Sequence, residues 1–168
     1  MGGWILHLTV VALALGGPTP LPLAAQNDVA PSFQGKTSEG APFDLAKLGG
    51  EVVLLDFWAT WCEPCRLSLP RYAAMQRKLG AQGLHIVGVS VDEEAENLKR
   101  FLASHAIGFA VVHDADARIV EKYQPPKMPT AYLIGRDGRI RLLHAGFVAG
   151  DEVVIEAAVL AALAQKTP

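Results

Sequence analysis

Apolar and polar positions along the chain follow two spacings, and together they predict an α/β fold. Five short apolar runs predict β-strands, at residues 52–58, 84–91, 109–112, 130–135 and 139–144. Apolar positions three or four residues apart predict helices, at residues 63–79, 92–105, 114–123 and 151–164. Arg136-Asp137-Gly138 separates the last two strands and is typical of a hairpin turn.

Two of the predicted helices have apolar faces that should pack on the sheet. In the first, at residues 63–79, the inward positions are predicted to be Leu67, Tyr72, Met75 and Leu79. Pro70 should kink this helix, because proline lacks a backbone donor and its ring crowds the preceding turn. In the second, at residues 92–105, Asp92 is predicted to cap the amino terminus. Its inward positions are predicted to be Leu98, Phe101 and Leu102.

Residues 32–48 contain short apolar pieces interrupted by Gly35, Gly40 and Pro42, which predicts a hairpin followed by a short helical turn. Strands and helices then alternate and end in a ββα unit. This order predicts an α/β three-layer sandwich, with a mixed central sheet and helices on both of its faces. Residues 26–168 are expected to form this single domain.

Residues 1–25 differ from the rest, because an apolar stretch at residues 4–15 is followed by glycine, proline and small residues. This pattern predicts a secretory signal peptide cleaved after Ala25, although the usual basic residues are missing before Lys36. A short membrane anchor is the alternative, but the stretch falls short of the roughly 20 residues that span a bilayer. Both interpretations predict an extracytoplasmic, periplasmic domain.

The charge of the chain argues against two classes of partner. The formal net charge is −2 and the isoelectric point is about 6.2, in a chain of 168 residues without a basic block. Binding to nucleic acid or to an anionic membrane surface requires a basic face, so neither partner is expected.

The chain has two cysteines, and they lie in the sequence Cys62-Glu63-Pro64-Cys65, where a predicted strand ends and a helix begins. A disulfide between residues three apart closes almost no loop, so it would hardly constrain the unfolded chain and serves reactivity better than stability. A zinc site would need two more ligands, and no second Cys-x-x-Cys or His-x3-His pattern follows. The pair is therefore predicted to be a redox dithiol.

Position along the helix predicts different roles for the two sulfurs. Cys62 should be the attacking cysteine, since unpaired N–H groups and the positive end of the helix favour a thiolate there. Cys65 falls inside the first turn and should be the resolving thiol that breaks the mixed disulfide. Asp56 lies in an otherwise apolar strand, where burial should raise its pKa and suit proton transfer with Cys65. A structural acid held by a hydroxyl or water is the alternative for Asp56.

The segment from Asp56 to Cys65, Asp-Phe-Trp-Ala-Thr-Trp-Cys-Glu-Pro-Cys, resembles the active-site segment of the thioredoxin superfamily. The Trp-Cys-Glu-Pro-Cys variant, Met128-Pro129-Thr130 and the apolar leader resemble the TlpA/ResA-like extracytoplasmic thiol-disulfide oxidoreductases. The resemblance runs from about Pro31 to the C-terminus and implies a thioredoxin-like fold with an extra N-terminal β-hairpin. It also implies a cis bond before Pro129, which leaves the Met128 backbone open to pair with a substrate peptide. An ordinary trans proline is the alternative.

The resemblance also bears on the acid that accepts a proton from Cys65. Thioredoxins have an acid at the position of Asp56, faced by a lysine that would fall near Gly88 and is missing here. Many ResA-type proteins instead have a neutral residue at that position and use a glutamate after the second strand, a place that Glu93 matches. Asp56 and Glu93 are therefore both candidates, and a first-turn helix acid is the alternative for Glu93.

Residues around the cysteines are predicted to tune the dithiol or to contact substrate. Trp61 is expected on an exposed partner-binding rim, whereas Trp58 packs inside. The Glu63 carboxylate opposes thiolate formation, and a solvated turn residue is its alternative role. With Pro64, Glu63 should hold the reduction potential near that of thioredoxin, about −270 mV, rather than that of DsbA, about −120 mV.

These observations predict a reductase of protein disulfides outside the cytoplasm. In the resembled family the targets include apocytochrome c and copper-site assembly proteins, and electrons arrive from a membrane dithiol protein. Neither a cofactor nor a metal is expected, and the domain is expected to be a monomer. A thiol oxidase of secreted proteins and a copper or zinc metallochaperone that uses the two cysteines are the alternatives.

Overall fold

The computed structural model describes residues 27–165, so the predicted leader at residues 1–25 lies outside the described residues. The strands are β1 (Gln34–Lys36), β2 (Pro42–Asp44), β3 (Val52–Trp58), β4 (Leu84–Ser90), β5 (Ala110–His113), β6 (Thr130–Ile134) and β7 (Ile140–Ala145). The α-helices are α1 (Glu63–Leu79), α2 (Ala95–Ser104), α3 (Arg118–Tyr123) and α4 (Asp151–Leu163). Within the described residues, no helix is both long and apolar enough to cross a membrane.

The central sheet is mixed and has the strand order β5-β4-β3-β6-β7. β3, β4 and β5 run parallel to one another, whereas β6 is antiparallel to β3 and β7 is antiparallel to β6. β1 and β2 form a separate hairpin, which docks on the β5 edge through a bridge between Thr37 and Val112. The mixed sheet, the helices on both faces and the added hairpin confirm the predicted three-layer fold.

β3 lies at the centre of the core, and all seven of its residues are buried. Successive side chains of a strand point to opposite faces of the sheet. Leu55 and Phe57 pack against the hairpin and α3, while Val52 and Leu54 pack against α1 and α4. The continuous apolar run therefore predicted this strand correctly, because a strand covered on both faces needs no polar positions.

α1 has the predicted bounds and continues through Pro70, but one predicted inward residue is wrong. Leu67 is 38% exposed, whereas Leu69 is 3% exposed and occupies the inner face. The reason is that Leu67 lines an open groove beside Trp61 instead of contacting the sheet.

α2 begins at Ala95, three residues later than predicted, and the predicted Asp92 cap is wrong. The residue in the cap position is Glu94, and no side chain caps the helix. Asp92 is unavailable because its carboxylate accepts hydrogen bonds from Ser90 and Thr60. Leu98 and Phe101 are buried, as their spacing predicted.

The start of α3 also differs from the sequence prediction, whereas the start of α4 agrees with it. α3 begins at Arg118 instead of residue 114, and the buried Asp114 carboxylate reaches across the intervening turn to the N–H groups of Ile119 and Val120. α4 begins at Asp151 as predicted, but Gly150, with a φ of 103°, occupies its cap position. The Asp151 carboxylate accepts a hydrogen bond from the Val148 N–H instead, at 2.8 Å.

The amino-terminal segment joins the domain at the end of the sheet where β3 begins. The Asn27 N–H donates to the Ile140 carbonyl at 2.7 Å, and the Ala30 N–H donates to the Gly138 carbonyl at 2.9 Å. Strand register places Ile140 beside Ile134, which in turn faces Val53 near the start of β3. β3 then runs to the opposite end of the sheet, where residues 59–62 connect it to α1.

Candidate active site

Cys62 and Cys65 form a disulfide at the amino terminus of α1. Cys62 occupies the cap position of the helix, and its Sγ accepts a hydrogen bond from the Cys65 N–H at 3.3 Å. After reduction, the same donor and the positive end of the helix favour a thiolate at Cys62. The sequence of this turn therefore places one sulfur where ionisation is easiest.

The two sulfurs differ in their access to solvent. Cys62 is 5% exposed and Cys65 is completely buried. Both cysteines belong to an apolar cluster with Trp58 and Leu69, and this cluster packs around Cys65 inside the domain. Both cysteines are thus largely buried, and Cys62 is the one that keeps a small surface open to an approaching sulfur atom.

Metal-binding side chains do not gather at this site. Within residues 27–165, no group of three or more histidine, cysteine, aspartate or glutamate residues could hold a metal ion.

Asp56 is completely buried in β3, and among the described residues neither of its carboxylate oxygens has a hydrogen-bond partner. Strand register places it between Gly88 of β4 and Ala131 of β6. Because a buried charge loses its hydration, burial raises the pKa of Asp56 well above its ordinary value. Asp56 is thus an acid that can hold a proton at a pH where an exposed aspartate cannot.

α1 covers the face of the sheet on which Asp56 lies. Its inner face is formed by Cys65, Leu69 and Tyr72, which are separated by four and then three residues and are all buried. Burial and, second, the charge of Asp56 raise the pKa of the Tyr72 hydroxyl, so Asp56 lies within electrostatic reach of this helix. Asp56 and Cys65 are therefore buried between the same helix and the same sheet face.

Glu93, the other candidate acid, is exposed in the connection between β4 and α2. It precedes α2 by two residues, so it is not in the first turn of that helix. The buried acid at this place is its neighbour Asp92, which is 2% exposed.

Asp92 was not predicted as a site residue, although it is bound to the loop that carries Cys62. Its carboxylate accepts hydrogen bonds from the Thr60 hydroxyl at 2.6 Å, the Thr60 N–H at 3.1 Å and the Ser90 hydroxyl at 2.8 Å. One signal in the sequence could have found it: Asp92 follows a parallel strand next to β3, at the sheet end where sites of α/β proteins form.

An open groove of about 830 Å³ lies beside the disulfide. Its lining is mainly apolar and comprises Trp61, Pro64, Leu67, Phe147, Val148 and Ala149, with Glu63 and Arg66 at the same site. Trp61 is 68% exposed and Val148 is 65% exposed. The sequence pointed to Trp61, Glu63 and Pro64 but not to the loop between β7 and α4, whose contribution depends on tertiary packing.

The loop before β6 approaches the cysteines from another side. The peptide bond between Met128 and Pro129 is cis. Met128 is half-buried and packs against the cluster that contains both cysteines. The Pro129 carbonyl accepts a hydrogen bond from the Gly146 N–H at 2.7 Å, which ties this loop to the one that lines the groove.

A model of the AhpC/TSA family matches residues 26–143. The thiol-disulfide oxidoreductase ResA of Bacillus subtilis is 35% identical over 111 residues, which cover 66% of this chain and 62% of that protein. ResA of Oceanobacillus iheyensis is 32% identical over 130 residues, which cover 75% of this chain and 68% of that protein. The chain spans only 62% to 64% of the length of several ResA relatives.

Solved structures agree with this relationship. A putative thiol:disulfide interchange protein DsbE from Chlorobium tepidum has a TM-score of 0.81 and 38% identity, over 84% of this chain and 99% of that one. A thioredoxin-family thiol:disulfide interchange protein from Chlorobium tepidum TLS has a TM-score of 0.73 and 28% identity, over 83% of this chain and 98% of that one. The predicted thioredoxin-like fold and the resemblance to ResA-like proteins are confirmed. The chain belongs to the AhpC/TSA family and is a thioredoxin-fold relative of the ResA thiol-disulfide oxidoreductases.

Proposed function

We propose that the chain is an extracytoplasmic thiol-disulfide oxidoreductase that reduces disulfides in other proteins. The difference in access between the two bonded sulfurs carries this proposal: Cys62 is reachable at a helix terminus, whereas Cys65 is sealed beneath it. A dithiol with one reachable and one protected sulfur suits transfer through a mixed disulfide. The names of the ResA and DsbE relatives support the same chemistry.

In the proposed reaction, the reduced protein donates two electrons to a disulfide of its substrate. The Cys62 thiolate attacks one substrate sulfur, and the other substrate sulfur leaves as a thiolate that takes up a proton. Cys65 then loses its proton and attacks the Cys62 sulfur, which re-forms the Cys62–Cys65 disulfide and releases the second substrate thiol. The substrate gains two thiols, and the protein is left oxidised.

Asp56 is the better supported acceptor for the Cys65 proton. It is buried under α1 together with Cys65, and its raised pKa brings the carboxyl nearer to the pKa range of a thiol. Glu93 is the second candidate that the sequence offered, and its exposed position before α2 gives it less support. Replacing each acid by its amide, and following the thiolate absorbance of the reduced protein against pH, distinguishes the two.

Docking of a substrate is assigned to the groove beside Cys62. Trp61, Pro64 and Glu63 provide one side of it, and the loop at Phe147 and Val148 provides the other. The Met128 backbone before the cis bond would pair with an extended segment of the substrate, and Pro129 would fix that loop. A mainly apolar groove suits substrates that are at least partly unfolded.

The proposed direction of electron flow is towards the substrate. Glu63 places a carboxylate next to Cys62, which disfavours the thiolate and lowers the reduction potential. The family resemblance suggests apocytochrome c or copper-site assembly proteins as targets and a membrane dithiol protein as the electron donor. The domain would act as a monomer, either released after cleavage at Ala25 or tethered through residues 1–25.

A trapping experiment tests the proposal. Cys65→Ser should accumulate mixed disulfides with substrate proteins in an extract of the extracytoplasmic compartment, because the resolving thiol is missing. Cys62→Ser is the matched control and should trap nothing and lose insulin reduction. If Cys65→Ser forms no mixed disulfide, or if the measured potential lies near about −120 mV, the protein is not the proposed reductase.

A further inference from the structure

Asp92 is the most highly connected buried carboxylate in the described part of the chain that has no place in the proposed reaction. It is 2% exposed and lies in the connection after β4, while the cysteines are on the loop and helix that follow β3. Its carboxylate oxygens accept hydrogen bonds from the Thr60 hydroxyl, the Thr60 N–H and the Ser90 hydroxyl. Its own N–H donates to Ser90 Oγ at 3.2 Å, and its carbonyl contacts His113 Nε2 at 2.7 Å. The connection that carries Asp92 is therefore itself held in place.

Thr60 is the residue through which Asp92 reaches the dithiol. It lies two residues before Cys62, inside a turn closed by a hydrogen bond from the Cys62 N–H to the Ala59 carbonyl at 3.2 Å. Asp92 holds the N–H and the hydroxyl of Thr60, and the Arg66 guanidinium donates to the Thr60 carbonyl at 3.0 Å. Every polar group of Thr60 is thus fixed, either from the connection after β4 or from α1.

We propose that Asp92 is a positioning residue for the dithiol, which fixes the loop before Cys62 through Thr60 and so makes the protein a stronger reductant. A fixed loop keeps the Cys62 sulfur close to Cys65 and lowers the entropy lost when the disulfide closes. The negative charge of the carboxylate near the loop also disfavours a Cys62 thiolate. Both effects favour the disulfide over the dithiol. This inference rests on the proposed function.

A buried acid can also serve stability alone, and Asp114 provides the matched comparison. Asp114 is 3% exposed and follows the neighbouring strand β5. Its carboxylate accepts hydrogen bonds from the N–H groups of Ile119 and Val120 at the start of α3. Its hydrogen bonds go to a different helix from the one that carries the cysteines. Loss of the Asp114 carboxylate should therefore weaken the fold without changing the dithiol.

The test is the equilibrium of each purified protein with glutathione, in which the dithiol and glutathione disulfide give the protein disulfide and two reduced glutathiones. Asp92→Asn removes the charge and one acceptor oxygen, and Thr60→Val removes the hydroxyl. Each should lower the equilibrium constant by about threefold to tenfold, since each weakens a hydrogen bond to a charged group. Thr60→Ser keeps both donors and should match the wild type, and Asp114→Asn should change the constant less than about twofold.

Two outcomes would overturn the inference: constants for Asp92→Asn and Thr60→Val that match Asp114→Asn, or a shift of either variant towards the disulfide. If Asp92→Asn does not fold, the half-buried Thr60 position carries the test alone. The equilibrium needs no protein substrate, so it gives a result even if the trapping experiment fails. Failure of the proposed function and failure of this inference are therefore separate observations.

Discussion

Asp56 of β3 and Gly88 of β4 are direct partners in the parallel register at the centre of the sheet. Thioredoxin-like sequences suggested a lysine near this glycine, and the structure gives a physical reason for its absence. A Cβ at residue 88 would lie 2.7 Å from Trp58 Nε1 and 3.2 Å from Phe109 Cε2. The indole of Trp58 occupies the space that a side chain at residue 88 would need, so Asp56 is left without a cationic neighbour there.

Gly88→Ala should therefore destabilise the protein through overpacking, because Trp58 is completely buried and the half-buried Phe109 packs against the same cluster. We expect the free energy of unfolding to fall by about 1–3 kcal/mol, measured by urea denaturation of the oxidised protein. Near-ultraviolet circular dichroism should change as well, since Trp58 must move. An unchanged urea midpoint would mean that the two rings can move aside at little cost. Overpacking would then not explain why residue 88 is a glycine.

Asp56→Asn tests the buried acid by its effect on stability. Because burial raises the folded-state pKa of Asp56, the native protein loses stability as the pH rises from the unfolded-state value of about 3.9 to the folded-state pKa, and the loss stays constant above it. The loss amounts to about 1.4 kcal/mol for each pH unit between the two pKa values. The Asp56→Asn protein should lack this decline in urea titrations of the disulfide form between pH 4 and 9. Equal slopes for both proteins would contradict a raised pKa.

Trp61→Ala should weaken binding of a protein substrate without changing the chemistry at Cys62. The side chain is 68% exposed beside the groove, so its removal should cost little folding stability. We expect KM for insulin to rise about threefold to tenfold, while the rate with a small disulfide changes less than about twofold. Leu160→Ala, at an apolar position of α4 that is 44% exposed and does not line the groove, is the control. Equal losses with both disulfides would place Trp61 in the chemistry.

Asp151→Ala should loosen the loop that forms the second side of the groove. The hydrogen bond from the Val148 N–H and, second, that from His144 lower the pKa of Asp151. The contact therefore stabilises the loop above the unfolded-state pKa of about 3.9 and is lost as the pH falls through the folded-state value. Since the Asp151 side chain is still 25% exposed, solvent screens the contact, and its contribution is below about 1 kcal/mol.

Hydrogen exchange of the Val148 amide measures this effect. In Asp151→Ala it should accelerate by up to about fivefold at pH 6. Asp137→Ala provides the control, because Asp137 also accepts a backbone N–H, from Arg139 at 3.2 Å, but in the turn between β6 and β7. Similar Val148 exchange in all three proteins would show that Asp151 does not hold the loop.

The local sequence pattern was sufficient to predict an element wherever residues close in sequence determine the structure. The bounds of β3 and α1 follow from an apolar run that ends in Cys62-Glu63-Pro64-Cys65, because proline near a helix start and a strand buried on both faces leave clear signals. The order of strands and helices predicted the mixed sheet, the breaks at Gly35, Gly40 and Pro42 predicted the hairpin, and the resemblance carried by the cysteine segment led to the family.

The wrong predictions occur where contacts between segments distant in sequence determine the position of a side chain. Asp92 resembles a helix cap in sequence, but Thr60, 32 residues earlier, provides better donors for its carboxylate. Leu67 has helical spacing for the core and instead lines a groove that exists only once the loop at Phe147 is in place. Neither contact has a signature in a window of ten or fifteen residues.

The hydrogen bonds of Asn27 and Ala30 near Ile140 fix where anything attached ahead of residue 27 must leave the domain. That exit lies at the end of the sheet away from Cys62, a separation maintained by the whole length of β3. A solid support joined through the amino terminus of the domain at residue 27 would face one pole of the molecule and leave the other free to receive a visiting polypeptide. Immobilisation through that terminus should thus preserve turnover, whereas coupling through Trp61 or Val148 should block it.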